Sequence, residues 1–154
     1  MEELKYKLTE ESIVVCNKTL YRIEALKDFG DVKKGDKGGY VENEDNLSQY
    51  DDCWIYGVAK VYDDAKVYGN ARICGDATIA SSSDYIVFKN WWSSGRYFTW
   101  ARSNDMWKVG CFYGTGKQLI QKAYKDSKSS GEEYERIVRY VDSIKKKSAM
   151  IWNF

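Results

Sequence analysis

Apolar and polar positions along this chain change period twice. From Ile55 onward, branched aliphatic residues recur every six positions, at Ile55, Val61, Val67, Ile73 and Ile79. Alanine recurs in a second phase at Ala59, Ala65, Ala71 and Ala77. Gly57-Val58, Asp63-Asp64, Gly69-Asn70 and Gly75-Asp76 lie between them and supply turn chemistry once per unit. A strand pleat has a period of about 2, so both columns point inward, and a corner per unit closes a three-sided winding of ~18 residues. A helical period of about 3.6 cannot produce this pattern. Val41, Leu47 and Cys53 extend it upstream in the alanine phase, which sets Trp54 beside Arg72 and Tyr50 beside Tyr68.

The flanks follow other rhythms. Ile13-Val14-Val15-Cys16 and Thr19-Leu20-Tyr21-Arg22-Ile23 alternate as strands about a turn at Asn17-Lys18, and the glycines and aspartates of 29–40 predict tight turns capping the ladder. After Ser81-Ser82-Ser83 the six-residue rhythm stops. Residues 85–92 and 96–102 flank Ser93-Ser94-Gly95 as a β-hairpin, and Met106–Cys111 adds a third strand. Two helices close the chain, opened by the capping boxes Thr115-Gly116-Lys117-Gln118 and Ser130-Gly131-Glu132-Glu133. Their apolar stripes read as sheet-facing core, and Lys145, Lys146 and Lys147 as a solvated helix end.

Composition narrows the chemistry. Apolar residues make up 44% of the chain, enough for a real core, and 24 basic residues against 23 acidic ones leave no general charge for coating nucleic acid. No run reaches the ~18 apolar residues of a membrane span, and the N-terminus lacks a secretion signal, so the expected location is cytoplasmic. Cys16, Cys53, Cys74 and Cys111 form no close pair and read as buried reduced thiols, with no metal site or cofactor expected. Histidine is absent, which removes His-dependent nucleophile systems. Asp63-Asp64 is a close carboxylate pair, but at a corner, where aspartate serves the turn.

The ladder, with units such as Ile55-Tyr56-Gly57-Val58-Ala59-Lys60, resembles the hexapeptide-repeat, left-handed parallel β-helix family, and the wider arrangement is similar to small phage and prophage proteins of that family. The resemblance implies a mainly β fold with α: N-terminal strands and cap over 1–40, a short left-handed β-helix over 41–80, and a C-terminal α+β domain over 81–154. Acyltransferases of the family use a histidine base and many coils. Both are lacking here, so the expectation is a chain that is not an enzyme and has no catalytic residues.

Two constellations remain. Aromatic and basic side chains alternate after residue 88, and Lys89, Asn90, Trp92, Ser93, Ser94, Arg96, Trp100, Arg102, Trp107 and Lys108 could stack a base and meet a phosphate. The start of the first helix, Thr115, Gly116 and Lys117, could hold an anion; the stretch before it fails the P-loop spacing. A tryptophan-rich core would explain about half of these residues. The second set, Tyr50, Trp54, Tyr56, Tyr62, Tyr68 and Arg72, faces outward and suits a homo-oligomer interface, with a trimer among the forms the family implies. The functional expectation is a phage-type protein that sequesters a small anionic, nucleotide-derived host immune signal without turning it over. The alternative is a protein-binding inhibitor of a host defence enzyme, or a structural phage component.

Overall fold

The computed structural model describes residues 3–152, excepting the side chains of 147–152. Strand β1 (Tyr6–Val15) pairs antiparallel with β2 (Lys18–Ala25) through a tight turn at Cys16 and Asn17. Both turn residues have positive φ, 51° and 64°, the conformation a two-residue hairpin needs to follow the strand twist. Next to β2 lies β3 (Lys37–Val41), antiparallel to it. The other edge of β3 pairs in parallel with β5 (Lys60–Val61), which in turn pairs in parallel with β7 (Thr78–Ile79). A second parallel pair joins β4 (Trp54–Ile55) to β6 (Arg72–Ile73). Gly38 and Gly39 belong to β3 and not to a turn as expected. They let its backbone lie directly on the neighbouring strands: a Cβ at Gly38 would sit 2.5 Å from the carbonyl oxygen of Ile55.

These pairings correct the expected architecture. The chain is mainly β with two helices, but its two larger sheets are mixed and antiparallel, and no left-handed parallel β-helix is present among the described residues. The parallel strands are two residues long where they pair, and they continue a sheet of order β1-β2-β3-β5-β7 that is antiparallel at its N-terminal side. The six-residue rhythm specifies which side chains point inward. It does not specify what pairs with the free edge of the first parallel strand, and here β2 takes that edge.

The inward columns are as the rhythm requires: Ile55, Val61, Val67, Ile73 and Ile79 are buried together with all four ladder alanines. The phase upstream differs from expectation. Val41 lies opposite Val61 and Leu47 opposite Val67, so both belong to the branched column and are twenty residues from their partners, whereas Ile55 and Ile73 are eighteen apart. Two extra residues are taken up at the corner Tyr50-Asp51-Asp52, where Asp51 has φ 58°. Tyr50 therefore belongs to an insertion and is not in register with Tyr68.

That inserted corner is held by a buried cation. Lys5 precedes β1, and its ammonium donates to the carbonyl oxygens of Cys53 at 2.8 Å, Asp51 at 3.2 Å and Tyr50 at 3.3 Å. Three donors meet three carbonyls that the irregular corner leaves unpaired by the ladder. Burial pushes the Lys5 amine below its ordinary value, and the neighbouring Cys53, Asp52 and Asp51 oppose the shift.

The C-terminal part forms an antiparallel sheet of β8 (Tyr85–Lys89), β9 (Tyr97–Ala101), β10 (Met106–Val109) and β11 (Phe112–Gly114), in the order β11-β10-β9-β8. Helix α1 (Gly116–Asp126) starts as expected at Thr115, whose hydroxyl accepts from the Gln118 N–H at 3.2 Å. Helix α2 (Lys128–Trp152) starts earlier than expected. Its cap is Ser127, which accepts from the Ser130 N–H at 3.0 Å, so the Ser130 box lies within the helix. At its far end Lys145 is paired and not simply solvated, donating to Asp105 at 2.7 Å and Asp142 at 3.1 Å; the side chain of Lys147 lies outside the described residues. No helix among the described residues is long and apolar enough to cross a membrane.

Strand β9 lies between two cores. Phe98 and Trp100 pack with Trp107, Leu119, Tyr134 and Val138 beneath the helices, whereas Ala101 packs with the ladder core. Thr99, buried on the ladder side, accepts from the Arg72 N–H at 2.9 Å, and Ser103 accepts from the Thr78 N–H at 2.8 Å. These hydroxyls stand where a further parallel strand would present carbonyls.

Replacing Thr99 by Val should leave the Arg72 N–H buried without an acceptor and cost ~1–3 kcal/mol in urea unfolding, whereas Thr99→Ser should keep most of the stability. Alkaline titration gives a second expectation. Burial raises the phenols of Tyr6, Tyr56 and Tyr85, and it pushes the Cys74 thiol up to about 11 from 9.0. The folded state thus holds protons that the unfolded state releases, and stability should be full below pH 9 and fall as pH rises through 9 to 11. Thermal melts across that range test the sign.

Candidate ligand pocket

The hairpin turn between β8 and β9 is built around Asn90. This buried side chain accepts from the Arg96 N–H at 2.7 Å and from the Ser94 hydroxyl at 3.4 Å, and donates to the Tyr134 hydroxyl at 3.0 Å. The turn is thereby tied to α2, and a cavity of about 220 Å³ opens between them. It is lined by Asn90, Ser93, Ser94 and Arg96 from the turn, Val109, Cys111 and Phe112 from the β10–β11 hairpin, Leu119, Lys122, Ala123 and Asp126 from α1, and Ser130 and Tyr134 from α2.

Four of the residues expected to bind ligand, Asn90, Ser93, Ser94 and Arg96, therefore meet in one place. Arg96 is exposed and pairs with no carboxylate among the described residues, and its guanidinium lies over Gly110, where a Cβ would come 2.6 Å from Nη1. Lys122 is the second cation and shares its charge with Asp126 at 3.5 Å. The rest of the expected site is used elsewhere. Trp100 and Trp107 are core residues and offer no ring face to a ligand; the Trp100 indole donates to Asp105 at 2.7 Å. Trp92 is half-buried edge-on against Tyr134, with centroids 5.0 Å apart. Arg102 is paired with Asp84 at 3.1 Å. Lys89 lies over the Tyr97 ring and Lys108 over the Tyr56 ring. Thr115 and Gln118 satisfy each other, Gly116 packs on Val138, and Lys117 is exposed, so the start of α1 is occupied by its own cap.

The outward ladder set is also divided. Trp54 is 1% exposed and packs edge-on against Phe29 and Tyr6 in the main core, so it belongs to no interface. The Tyr56 hydroxyl donates to Asp31 at 2.6 Å, and Arg72 lies 3.9 Å from the same carboxylate. Tyr62 is half-buried. Tyr50 and Tyr68 are the members that remain well exposed. Asp63 has φ 55° and pairs with Lys18 at 2.6 Å, so its carboxylate serves a corner.

Several residues of the pocket, and others outside its lining, escaped the sequence reading. Trp91, 75% exposed on the same turn, is the free ring where Trp92 had been expected. Cys111 is exposed, as is Cys16, although all four thiols were expected to be buried. Lys122 and Asp126 show an i, i+4 spacing beside the apolar Leu119 and Ala123, a signal that was readable on α1.

No family model matches the chain. It is similar to the protein named uncharacterized acetyltransferase YdcK of Escherichia coli (strain K12), being 38% identical over 60 residues that cover 34% of this chain and 18% of that protein. The chain thus matches less than a fifth of that relative's length. This finding corrects the expectation that the chain is not an enzyme: part of it is similar to a protein named as an acetyltransferase. The missing histidine excluded one way of activating an acceptor, and a missing residue type does not exclude relationship to an enzyme. The match contains no link to phage.

Asn90→Ala should remove the acceptor that orders the turn and the donor to Tyr134, lowering stability by ~1–3 kcal/mol in chemical unfolding and changing the emission of Trp91 and Trp92.

Proposed function

We propose that the chain binds a small anionic, phosphate-bearing ligand of nucleotide type in the cavity between the 90–96 turn and α1. Arg96 carries this reading: an exposed guanidinium without a carboxylate partner among the described residues, beside the hydroxyls of Ser93 and Ser94, offers paired donors to a phosphate. The volume of about 220 Å³ is smaller than the ~300–1,000 Å³ usual for an enclosed drug-sized ligand. The cavity therefore suits a phosphate and part of its sugar, with the base outside it. Trp91 on the same turn supplies a ring for that base, a contact worth ~1–3 kcal/mol.

The name of the matched E. coli protein supports a second reading, that the chain acts on acetyl groups, and acetyl transfer from acetyl-CoA to an amine or hydroxyl acceptor is its direct assay. Self-association is a separate proposal, supported by the exposed rings of Tyr50 and Tyr68. A stable monomer by sedimentation at micromolar concentration would remove it, and Tyr68→Glu should weaken any oligomer.

In calorimetry with nucleoside monophosphates and cyclic dinucleotides, Arg96→Ala and Trp91→Ala should each weaken binding ~10-fold, while Trp100→Phe should leave affinity unchanged and lower stability. Absence of binding tighter than ~100 µM for every phosphate-bearing probe would overturn the nucleotide reading.

A further inference from the structure

Cys53 and Lys5 form a buried pair that neither the pocket nor the ladder chemistry uses. The thiol is wholly buried, and its sulfur lies 3.4 Å from the Lys5 amine. Both groups sit under the inserted corner, where the sulfur also lies 3.7 Å from the Ser48 carbonyl oxygen and 3.6 Å from that of Tyr50. Those two residues line an open surface cavity of about 710 Å³. The cover over the sulfur on that side is thus one irregular corner, with Tyr50, Asp51 and Asp52 exposed. The carbonyl oxygens of Tyr50 and Asp51 are tied to the core by the Lys5 amine, so an opening of this corner breaks those bonds and uncovers the sulfur.

We propose that Lys5 and Cys53 are a site of oxidative cross-linking, in which hydrogen peroxide or a related peroxide joins Nζ to Sγ as a sulfenamide. In the first step the sulfur attacks a peroxide oxygen. An S–O bond forms, the O–O bond breaks, and the departing hydroxide leaves as water with the thiol proton, giving the sulfenic acid. In the second step the unprotonated Lys5 amine attacks the oxidised sulfur. The N–S bond forms, the S–O bond breaks, and hydroxide leaves as a second water with an amine proton. The pair loses two hydrogens in total, the peroxide is reduced to two waters, and an added thiol can reverse the bond by attacking sulfur. Two features favour this path over continued oxidation. The amine is already at van der Waals distance from the sulfur. Burial also lowers the affinity of the amine for its proton, which increases the fraction able to attack.

The test is peroxide treatment of the full native chain, alkylation of remaining thiols in denaturant, and peptide mapping by mass spectrometry with and without dithiothreitol. The expected result is a Lys5 peptide joined to a Cys53 peptide, about 2 Da lighter than their sum, returned to the separate peptides by dithiothreitol. The product should be absent when the same chain is oxidised in denaturant, and absent from Lys5→Arg. If Lys5→Arg fails to fold, the native and denatured wild-type digests decide the matter alone. Recovery of Cys53 as alkylated thiol, as sulfinic acid or in a disulfide, with Lys5 unmodified, overturns the proposal.

Discussion

A short stack of parallel strands has two exposed edges, and the rest of this fold depends on how they are closed. Each edge presents backbone groups that cost ~1–3 kcal/mol apiece if buried without partners. At the N-terminal edge the closure is made by backbone: β3 turns one side to β5 in parallel and the other to β2 in antiparallel sense. At the C-terminal edge it is made by side chains, with Thr99 and Ser103 accepting the N–H groups of Arg72 and Thr78. Asp84 completes the join, since one carboxylate oxygen receives the N–H groups of Ala80 and Ser81 while its backbone oxygen receives that of Arg102.

This second closure determines where a ligand can and cannot sit. Placing β9 against the ladder buries its Thr99 side, and placing the helices against its other side buries Phe98 and Trp100. The sheet then has no open face for a base to stack on. Exposed chemistry is displaced to the rim, where the Asn90 turn presents Ser93, Ser94 and Arg96 to α1. The rigid part of the molecule and its candidate site are thus consequences of the same packing decision.

The legible parts of the sequence were those governed by local periodicity. Inward ladder residues, the pairing of Trp54 with Arg72, the first hairpin and the Thr115 cap could all be read because each depends on spacing within a few turns of chain. The mixed sheet was not readable, because pairing of β3 with β2 is decided by edges that carry no periodic mark. The phase of Val41 and Leu47 was misread because a two-residue insertion at Tyr50–Asp52 preserves an apolar position at Cys53 in the old rhythm. In the site, the alternation of aromatic and basic side chains after residue 88 marked the segment that holds Phe98 and Trp100. It could not tell that both faces are covered, so Trp100 and Trp107 passed for ligand contacts while the exposed Trp91 was missed.

The double burial of β9 also limits how the molecule can move. Successive residues of a strand point to opposite faces, so a slip of one position would send Phe98 and Trp100 toward the ladder and Thr99 and Ala101 toward the helices. Aromatic rings do not fit where small side chains lay, and the Arg72 N–H would lose its acceptor at the same moment. Sliding along the strand axis is therefore blocked in both directions. A displacement beginning at the Asn90 turn can reach the ladder only as a rigid shift of the whole layer.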